Sequence, residues 1–309
     1  MTTFPASTVR WRLGTRGSPL ALAQAEETRA RLAAAHGLDP TTIAIVAIRT
    51  TGDAIQDRPL ADSGGKGLFT KELDVALAEG AVDFTVHSAK DLPTLDAPGL
   101  HVAGYLPRED ARDALIARDA ATLEALPRGA KLGTASLRRQ AMALRVRPDL
   151  AVSLLRGNVG TRLGKVESGA LDATILAMAG LKRLGLADRA TAALPIDVFP
   201  PAVGQGAIAL VARRADPATA ALLAPILHAP TGLALAAERA FLATLDGSCR
   251  TPIAGHATLA ASRLRLVGAI LSPDGALARE GAIEGDAAAA AALGRELGRR
   301  LLALEPVRR

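Results

Sequence analysis

Residues 131–162 read KLGTASLRRQAMALRVRPDLAVSLLRGNVGTR, and the order of patterns within this stretch decides the fold class. The stretch opens with a short strand pattern, KLG, and Ser136 is a typical N-cap for the helix pattern 137–146 that follows. A second strand pattern at 150–155 then leads to a helix that begins near Thr161. Strands that alternate with helices in this way predict an α/β fold with largely parallel sheets.

The N-terminal third of the chain shows the same alternation. A strand pattern at 10–16 ends in Arg16 and leads into a helix with Ser18 as its N-cap. A second apolar strand pattern at 83–87 is followed by three polar residues, Ser88, Lys90 and Asp91. Ligands of open α/β sheets bind outside the carboxyl ends of the strands, so we expect a site at this edge.

Positive charge is concentrated in one part of the chain. The segment 131–165 holds eight basic residues and a single acid, while the formal net charge of the whole chain is +6. Such a cluster indicates nucleic acid, phosphate or a polycarboxylate as partner, with a solvated basic face as the alternative. We favour a binding site, because Arg138, Arg139, Arg156 and Arg162 fall at strand ends or first helical turns, where guanidinium groups and backbone N–H groups converge.

Composition argues against several other classes of protein. Aromatic residues make up 2% of the chain, which disfavours a base-stacking nucleic-acid surface. No apolar stretch is long enough for a membrane span, the N-terminus lacks a signal-peptide layout, and the five histidines have no metal-ligand spacing. We therefore expect a cytoplasmic, monomeric protein without a metal ion, a nucleic-acid partner or a membrane partner.

The single cysteine, Cys249, lies in the loop-forming stretch 245–255, LDGSCRTPIAG. A lone cysteine cannot form an intramolecular disulfide. It is either a small buried apolar residue or a reactive, derivatised thiol. The residues of this stretch alone leave both interpretations open.

Two further stretches predict boundaries or mobile parts. The charged run 108–113 is typical of a linker, and the Pro/Gly-rich run 199–206 is typical of a hinge that precedes a strand at 207–212. In the run 57–69, glycines surround Lys66, but Gly67 stands where a phosphate-binding Walker A loop requires Ser or Thr. This run is either an ordinary flexible loop or a lid.

Seven motifs in register resemble the porphobilinogen deaminase (hydroxymethylbilane synthase) family. They are Arg16–Leu22 (RGSPLAL), Gly64–Phe69 (GGKGLF), His87–Pro93 (HSAKDLP), Gly133–Gln140 (GTASLRRQ), Leu155–Arg162 (LRGNVGTR), Pro201–Gly206 (PAVGQG) and the cysteine stretch itself. The resemblance runs from about Arg12 to the C-terminus.

The resemblance implies three domains. Two resemble type II periplasmic binding protein domains and flank a cleft, and a small α+β domain at the C-terminus carries the cysteine. The implied boundaries are 1–107 with 207–224 for the discontinuous first domain, 112–202 for the second, and 228–309 for the third.

The resemblance also implies a reaction. Four porphobilinogen molecules are condensed head to tail, with release of ammonia, into the linear tetrapyrrole hydroxymethylbilane. The chain grows on a dipyrromethane cofactor joined by a thioether to Cys249. Each ring carries an acetate and a propionate, so a growing polyanion requires many permanently charged arginines.

Site residues follow from the same matches. Asp91 matches the catalytic aspartate, which stabilises positive charge on the pyrroles and manages protons. The positions that match cofactor-binding residues are Ser88, Lys90, Thr134, Ser136, Arg138 and Arg139. Substrate binding is implied for Arg16, Ser18, Arg156, Arg162 and the hinge residue Gln205, and a closing loop for Lys66 and Phe69.

Three residues depart from the common pattern of the family: Asp62, Ala135 and Ser248. They affect details of affinity and remove no essential group. The main alternative from another class is a two-domain anion-binding module without catalysis. The cysteine stretch and the sequence HSAKD favour the enzyme, because a binding module needs neither an anchored primer nor a carboxylate among arginines.

Overall fold

The structure is a computed structural model, and it describes residues 9–54, 67–245 and 251–308. The predicted lid lysine Lys66 and the predicted anchor Cys249 lie outside the described residues, as do Asp62 and Ser248.

Fourteen strands occur within the described residues. They are β1 (Trp11–Arg16), β2 (Ile43–Ile48), β3 (Phe84–Ser88), β4 (Leu100–Tyr105), β5 (Asp113–Ala117), β6 (Lys131–Gly133), β7 (Ala151–Ser153), β8 (Ala173–Ala177), β9 (Ala192–Ala193), β10 (Ile208–Arg213), β11 (Ile253–Ala260), β12 (Arg263–Leu271), β13 (Leu277–Asp286) and β14 (Val307–Arg308).

Nine α-helices occur in the same part of the chain. They are α1 (Pro19–His36), α2 (Thr51–Ala54), α3 (Lys71–Ala78), α4 (Leu137–Val146), α5 (Val159–Glu167), α6 (Met178–Arg183), α7 (Pro217–Leu223), α8 (Ala229–Thr244) and α9 (Ala290–Ala303). Among the described helices, none alone is both long and apolar enough to cross a membrane, although Pro217–Ile226 and α8, which meet at a bend of 106°, pass that test as a pair.

The first sheet has the strand order β2-β1-β3-β10-β4. Strands β1, β2 and β3 are parallel, whereas β10 runs antiparallel between β3 and β4. Leu13, Phe84 and Leu210 form the centre of its buried core together with Leu32 from α1. The parallel strands place Arg16 and Ser88 at one common edge.

The second sheet repeats this strand order as β7-β6-β8-β5-β9. Strand β6 is parallel to β7 and β8, and β5 runs antiparallel beside β8, in the place that β10 takes in the first sheet. In both sheets, the antiparallel strand is the one that enters directly from a connection between the sheets. The two halves are therefore built alike.

The third sheet is antiparallel, with the order β11-β12-β13-β14. Helices α8 and α9 cover one of its faces, and Phe241 of α8 is fully buried there. A Cβ at Gly268 would lie 2.5 Å from the Phe241 ring, so glycine at this position lets helix and sheet approach closely. This unit contains both elements that flank the cysteine stretch.

One buried carboxylate joins the third unit to both connections. Glu238 of α8 is completely buried and accepts hydrogen bonds from Arg108 Nη1 at 2.5 Å, Gly204 N at 2.8 Å and Ala257 N at 2.7 Å. Arg108 also donates from Nε to the Gln205 carbonyl at 2.9 Å. Removing one partner of such a buried pair costs about 3–5 kcal/mol, so this junction holds the three units together.

The predicted α/β class is confirmed, and most predicted elements agree with the observed ones to within a few residues. The helix predicted at 137–146 has those bounds, and α1 ends at Gly37, whose φ of 61° is the left-handed conformation that glycine favours. One interpretation was wrong. Asp113, assigned to the charged linker, is a fully buried first residue of β5.

Candidate active site

The carboxyl edges of the first two sheets supply the candidate site. Arg16 ends β1, and a short 3₁₀ turn, Ala89–Asp91, follows β3. On the second sheet, β6 is followed by Thr134 and by α4, which Ser136 caps. Parallel strands explain why residues far apart in sequence meet here, because their carboxyl ends share one edge.

Asp91 lies beside a guanidinium group. Arg16 Nη1 is 3.7 Å from Asp91 Oδ2, and the side chain of Asp91 is 31% exposed. Arg16 is also held over the ring of Phe69, at 4.1 Å from its centroid. Asp91 is therefore a partly exposed carboxylate whose charge is only loosely paired, which leaves its oxygens able to accept hydrogen bonds from a ligand.

We call the site residues at the carboxyl edge of the first sheet the first wall, and those at the carboxyl edge of the second sheet the second wall. Ser18 and Ser88, on the first wall, have structural partners. Ser18 Oγ accepts a hydrogen bond from Ala21 N at 3.3 Å and so caps α1. Ser88 Oγ and the side-chain amide of Gln24 lie within hydrogen-bond distance of each other, at 2.9 and 3.1 Å. Gln24 is buried in α1 and was not singled out from the sequence.

Arg138 and Arg139 are buried side by side at the start of α4, where 5% and 6% of each residue is exposed. Both bind the same carboxylate, Asp113. Arg138 Nη2 lies 2.6 Å from Oδ2, while Arg139 Nε and Nη2 lie 3.0 and 2.9 Å from Oδ1. Burial raises the pKa of Asp113, but the charges of the two arginines outweigh burial and lower it to about 2.

Asp113 is the functional-site residue that sequence reasoning missed. The available signal was an aspartate at the head of the apolar run 113–117, DALIA, which is the pattern of a buried strand. A charged residue in such a run requires a buried partner, and the chain offers an adjacent pair of arginines.

Gln205, at the predicted hinge, links the two walls. Its Nε2 donates to Asp113 Oδ1 at 3.0 Å and to the Ala111 carbonyl at 2.9 Å. Its Oε1 accepts from Lys90 Nζ at 3.4 Å and from Arg139 Nη2 at 3.5 Å. A fully buried amide thus contacts Lys90 on the first wall and charged groups on the second.

Tight turns hold this hinge against both walls. Gly206 has a φ of +90°, and a Cβ there would lie 2.4 Å from the Glu109 carbonyl oxygen. At Gly204, with a φ of +75°, a Cβ would approach the backbone of Ala89 and Lys90 to 3.0 Å. Both positions require glycine for conformation and for space.

Thr134 and Ser136 fix the start of α4. Thr134 Oγ1 accepts from Ser136 N at 3.1 Å, and Ser136 Oγ accepts from Arg139 N at 3.3 Å. Arg162, in the first turns of α5, donates from Nε to the Gly157 carbonyl at 2.9 Å. The capped N-termini of α4 and α5 therefore place Arg138, Arg139 and Arg162 at the carboxyl edge of the second sheet.

The electrostatics of the site favour anions. Burial, with the nearby charges of Arg139 and Arg156, lowers the pKa of Arg162 to about 10, while Asp91 acts in the opposite direction. Lys90 is reached by solvent, but the protein around its ammonium group removes much of its hydration and, with Arg139, lowers its pKa to about 8. Like charges held this close are stabilised when an anion binds among them.

The cationic members of this site are Arg16, Lys90, Arg138, Arg139, Arg156 and Arg162. Among the described residues, Asp91 contacts Arg16, and Asp113 contacts Arg138 and Arg139. The fold and this site define a two-walled α/β protein whose strand ends gather cationic side chains suited to a multiply charged anion.

The family comparisons match almost the whole chain. Residues 11–221 match the family model "Porphobilinogen deaminase, dipyromethane cofactor binding domain", and residues 233–303 match "Porphobilinogen deaminase, C-terminal domain". Porphobilinogen deaminase of Nitrobacter hamburgensis is 58% identical over 289 residues, covering 94% of this chain and 92% of the relative. That of Nitrobacter winogradskyi is 58% identical over 282 residues, covering 91% and 89%. The chain belongs to the porphobilinogen deaminase family, as its motifs predicted.

Solved structures give weaker similarities. A putative methionine-binding lipoprotein of Bacillus subtilis has a TM-score of 0.43 at 13% identity, covering 71% of this chain and 90% of that one. The periplasmic aliphatic sulphonate-binding protein SsuA of Escherichia coli has a TM-score of 0.40 at 15% identity, covering 76% and 70%.

The residues present fit the dipyrromethane that this family binds. Two linked rings, each with an acetate and a propionate, carry four carboxylates, which suits a site to which both sheets contribute cationic side chains. In addition, Arg138 Nε is buried without a hydrogen-bond partner among the described residues. A buried donor of this kind is suited to a ligand carboxylate.

His87 lies beside this site but stays neutral at pH 7. Burial, and to a smaller extent the charge of Arg16, lowers its pKa to about 4, and its Nε2 lies 2.9 Å from Thr85 Oγ1. His87 therefore adds no charge to the site. The same shift makes stability depend on pH.

As pH falls below 6.5, the unfolded state binds a proton at His87 before the folded state does. Stability is therefore lost as pH falls from about 6.5 towards 4. Between pH 7 and pH 5 we expect a loss of about 2 kcal/mol from this group. Urea unfolding of wild type and His87→Gln at both pH values measures it. An equal loss in both proteins would contradict the assignment.

Proposed function

We propose that the edge between the first two sheets is the active site at which this chain condenses porphobilinogen. As a member of the porphobilinogen deaminase family, the chain is a transferase of tetrapyrrole and heme biosynthesis. It joins four porphobilinogen molecules into hydroxymethylbilane with release of ammonia, on a dipyrromethane cofactor. The observation that carries the placement is a partly exposed carboxylate, Asp91, among six cationic side chains from both walls.

Both walls contribute to cofactor binding and to substrate binding. Ser88, Lys90, Thr134, Ser136, Arg138 and Arg139 would hold the dipyrromethane, and Arg16, Ser18, Arg156, Arg162 and Gln205 the incoming substrate. Arginine suits this task because its planar fork binds carboxylates bidentately and stays charged. The carboxylates of a bound ring reduce the mutual repulsion of the guanidinium groups. This relief adds to the binding free energy of each ring, beyond its direct hydrogen bonds and ion pairs.

Asp91 has the properties of a group that stabilises positive charge. Loss of ammonia from porphobilinogen leaves a cation on the substrate's pyrrole, and the next pyrrole attacks it. A carboxylate beside the pyrrole N–H lowers the energy of that cation and can accept the proton released when the new bond forms. Arg16, whose Nη1 lies 3.7 Å from Asp91 Oδ2, helps to orient the carboxylate while leaving it 31% exposed.

When bound, the dipyrromethane supplies the terminal pyrrole carbon to which the first new ring is joined. Cys249 is proposed as its anchor, through a thioether. In the sequence, Cys249 lies between α8, which ends at Thr244, and β11, which begins at Ile253. Glu238, on α8, accepts hydrogen bonds from Ala257 N of β11 and from Gly204 N of the hinge. The two elements on either side of Cys249 are therefore held at a fixed position relative to the hinge.

We further propose that the protein works as a monomer in the cytoplasm, with no nucleic-acid or membrane partner. The support is compositional: aromatic residues are scarce, and positive charge gathers at the candidate active site. Lys66 and Phe69 are proposed to belong to a closing loop. Phe69 is the described member, and its contact with Arg16 would place that loop over the substrate.

Replacing Asp91 by Asn should abolish most of the activity, because the amide keeps the shape but not the charge. We expect kcat to fall about 10²–10³-fold while the fold is unchanged. Asp96→Asn is the matched control. Its carboxylate pairs with Arg214 and Arg239, so that variant should retain wild-type activity. Near-normal turnover of porphobilinogen by Asp91→Asn would contradict the catalytic role.

The anchor is tested by intact mass. Wild-type protein should carry the extra mass of two linked pyrroles, and Cys249→Ser should lack it, while Ser248→Ala in the neighbouring position should keep it. An unmodified wild-type protein that still turns over porphobilinogen would exclude the thioether assignment.

A further inference from the structure

Asp113 is the one buried carboxylate of the candidate site that none of the roles above assigns. It is fully buried at the start of β5 and accepts hydrogen bonds from three side chains. These are Arg138 through Nη2 at 2.6 Å, Arg139 through Nε at 3.0 Å, and Gln205 through Nε2 at 3.0 Å. All three belong to the residues proposed to bind cofactor or substrate.

Two adjacent buried guanidinium groups need a counter-ion. Burial lowers the pKa of Arg138, and the neighbouring charge of Arg139 lowers it further, whereas Asp113 opposes both effects. Without this carboxylate, two cations would be left close together with little water around them, which is strongly unfavourable. Asp113 therefore permits the paired arginines to occupy the start of α4.

Asp113 also decides which edges of the two guanidinium groups remain available. Arg138 uses Nη2 for Asp113 and Nη1 for the Pro200 carbonyl at 2.9 Å, and Nε is its buried nitrogen without a hydrogen-bond partner among the described residues. Arg139 directs Nε and Nη2 to Asp113. Planar groups held at two points cannot rotate, so their free edges have fixed directions.

The same carboxylate is connected to the opposite wall. Gln205 donates to Asp113 through one end of its amide and accepts from Lys90 Nζ at 3.4 Å through the other. The path Asp113–Gln205–Lys90 joins the second wall to the residue before Asp91. A displacement of Asp113 would therefore disturb both walls together.

We propose that Asp113 is a positioning residue for the condensation reaction. It aligns Arg138 and Arg139 for the carboxylates of the dipyrromethane and, through Gln205, fixes their distance from Lys90, without itself touching substrate. The proposal rests on the proposed function, because it takes the paired arginines as cofactor ligands.

Asp113→Asn is the direct test, measured on the holoenzyme as purified. The amide removes the charge and cannot accept from both arginines as before. We expect a smaller share of chains with cofactor mass, and a kcat per loaded chain lower by about 10–100-fold. KM for porphobilinogen should change less than kcat does, because Asp113 binds the two proposed cofactor arginines directly and reaches the proposed substrate set through Gln205.

Asp149→Asn is the matched control. It breaks another aspartate–arginine pair of the second sheet, with Arg147 at 2.8 Å, outside the candidate site. We expect it to retain cofactor loading and kcat. A merely structural role for Asp113 predicts less folded protein but an unchanged kcat per loaded chain, and that result would overturn the proposal.

Asp113→Glu covers the case in which Asp113→Asn does not fold. It keeps the charge but moves the carboxylate by one methylene, so the proposal expects a folded protein with reduced kcat; wild-type kcat would refute it. Arg139→Gln distinguishes a failure of the proposed cofactor site from a failure of the role proposed for Asp113. Normal cofactor loading and activity in Arg139→Gln would contradict the proposed cofactor site, whereas a defective Arg139→Gln with a normal Asp113→Asn would contradict only the role of Asp113.

Discussion

The mutual repulsion of cations gathered at one edge is the constraint on which the rest of the site depends. Six positive side chains converge where the two sheets end, and the buried pair Arg138 and Arg139 is stable only because Asp113 neutralises part of its charge. The compensation is partial, because Arg138 Nε has no hydrogen-bond partner among the described residues and is suited to a ligand carboxylate. A protein that holds a growing polycarboxylate needs this balance: enough counter-charge to fold, and too little to satisfy the arginines without the ligand.

The fold delivers this balance by building its two halves alike. Each sheet places its parallel strand ends at the same edge, and each accepts one antiparallel strand directly from a connection. Gln205, at one connection, contacts Lys90 of the first half and Asp113 of the second, while Arg108, at the other connection, binds the Gln205 carbonyl and Glu238. Glu238 then ties the third unit to the same point, so the stretch between α8 and β11 starts from a place defined by the hinge. The proposed anchor and the proposed active site are thereby both positioned relative to the hinge.

Local features of this structure could be predicted from the sequence, whereas its long-range pairings could not. Ser136, Ser18 and Gly37 mark helix ends because capping is decided within a few residues. The family resemblance implied that the strand after Gly206 returns to the first domain, but its place between β3 and β4 was not predicted. Asp113 was misread as linker because its burial depends on arginines 25 and 26 residues away, which no local charge count reveals. The members of the candidate site came from motifs, but their mutual contacts required coordinates.

In the proposed complex, both walls hold a single pyrrole chain by its carboxylates while Asp91 faces its nitrogens. A crystal structure of the holoenzyme tests this most directly. We expect carboxylates within about 3 Å of Arg138 Nε and of Arg139, and pyrrole N–H groups within hydrogen-bond distance of Asp91. Pyrrole rings bound away from these arginines, or with Asp91 facing no pyrrole nitrogen, would contradict it.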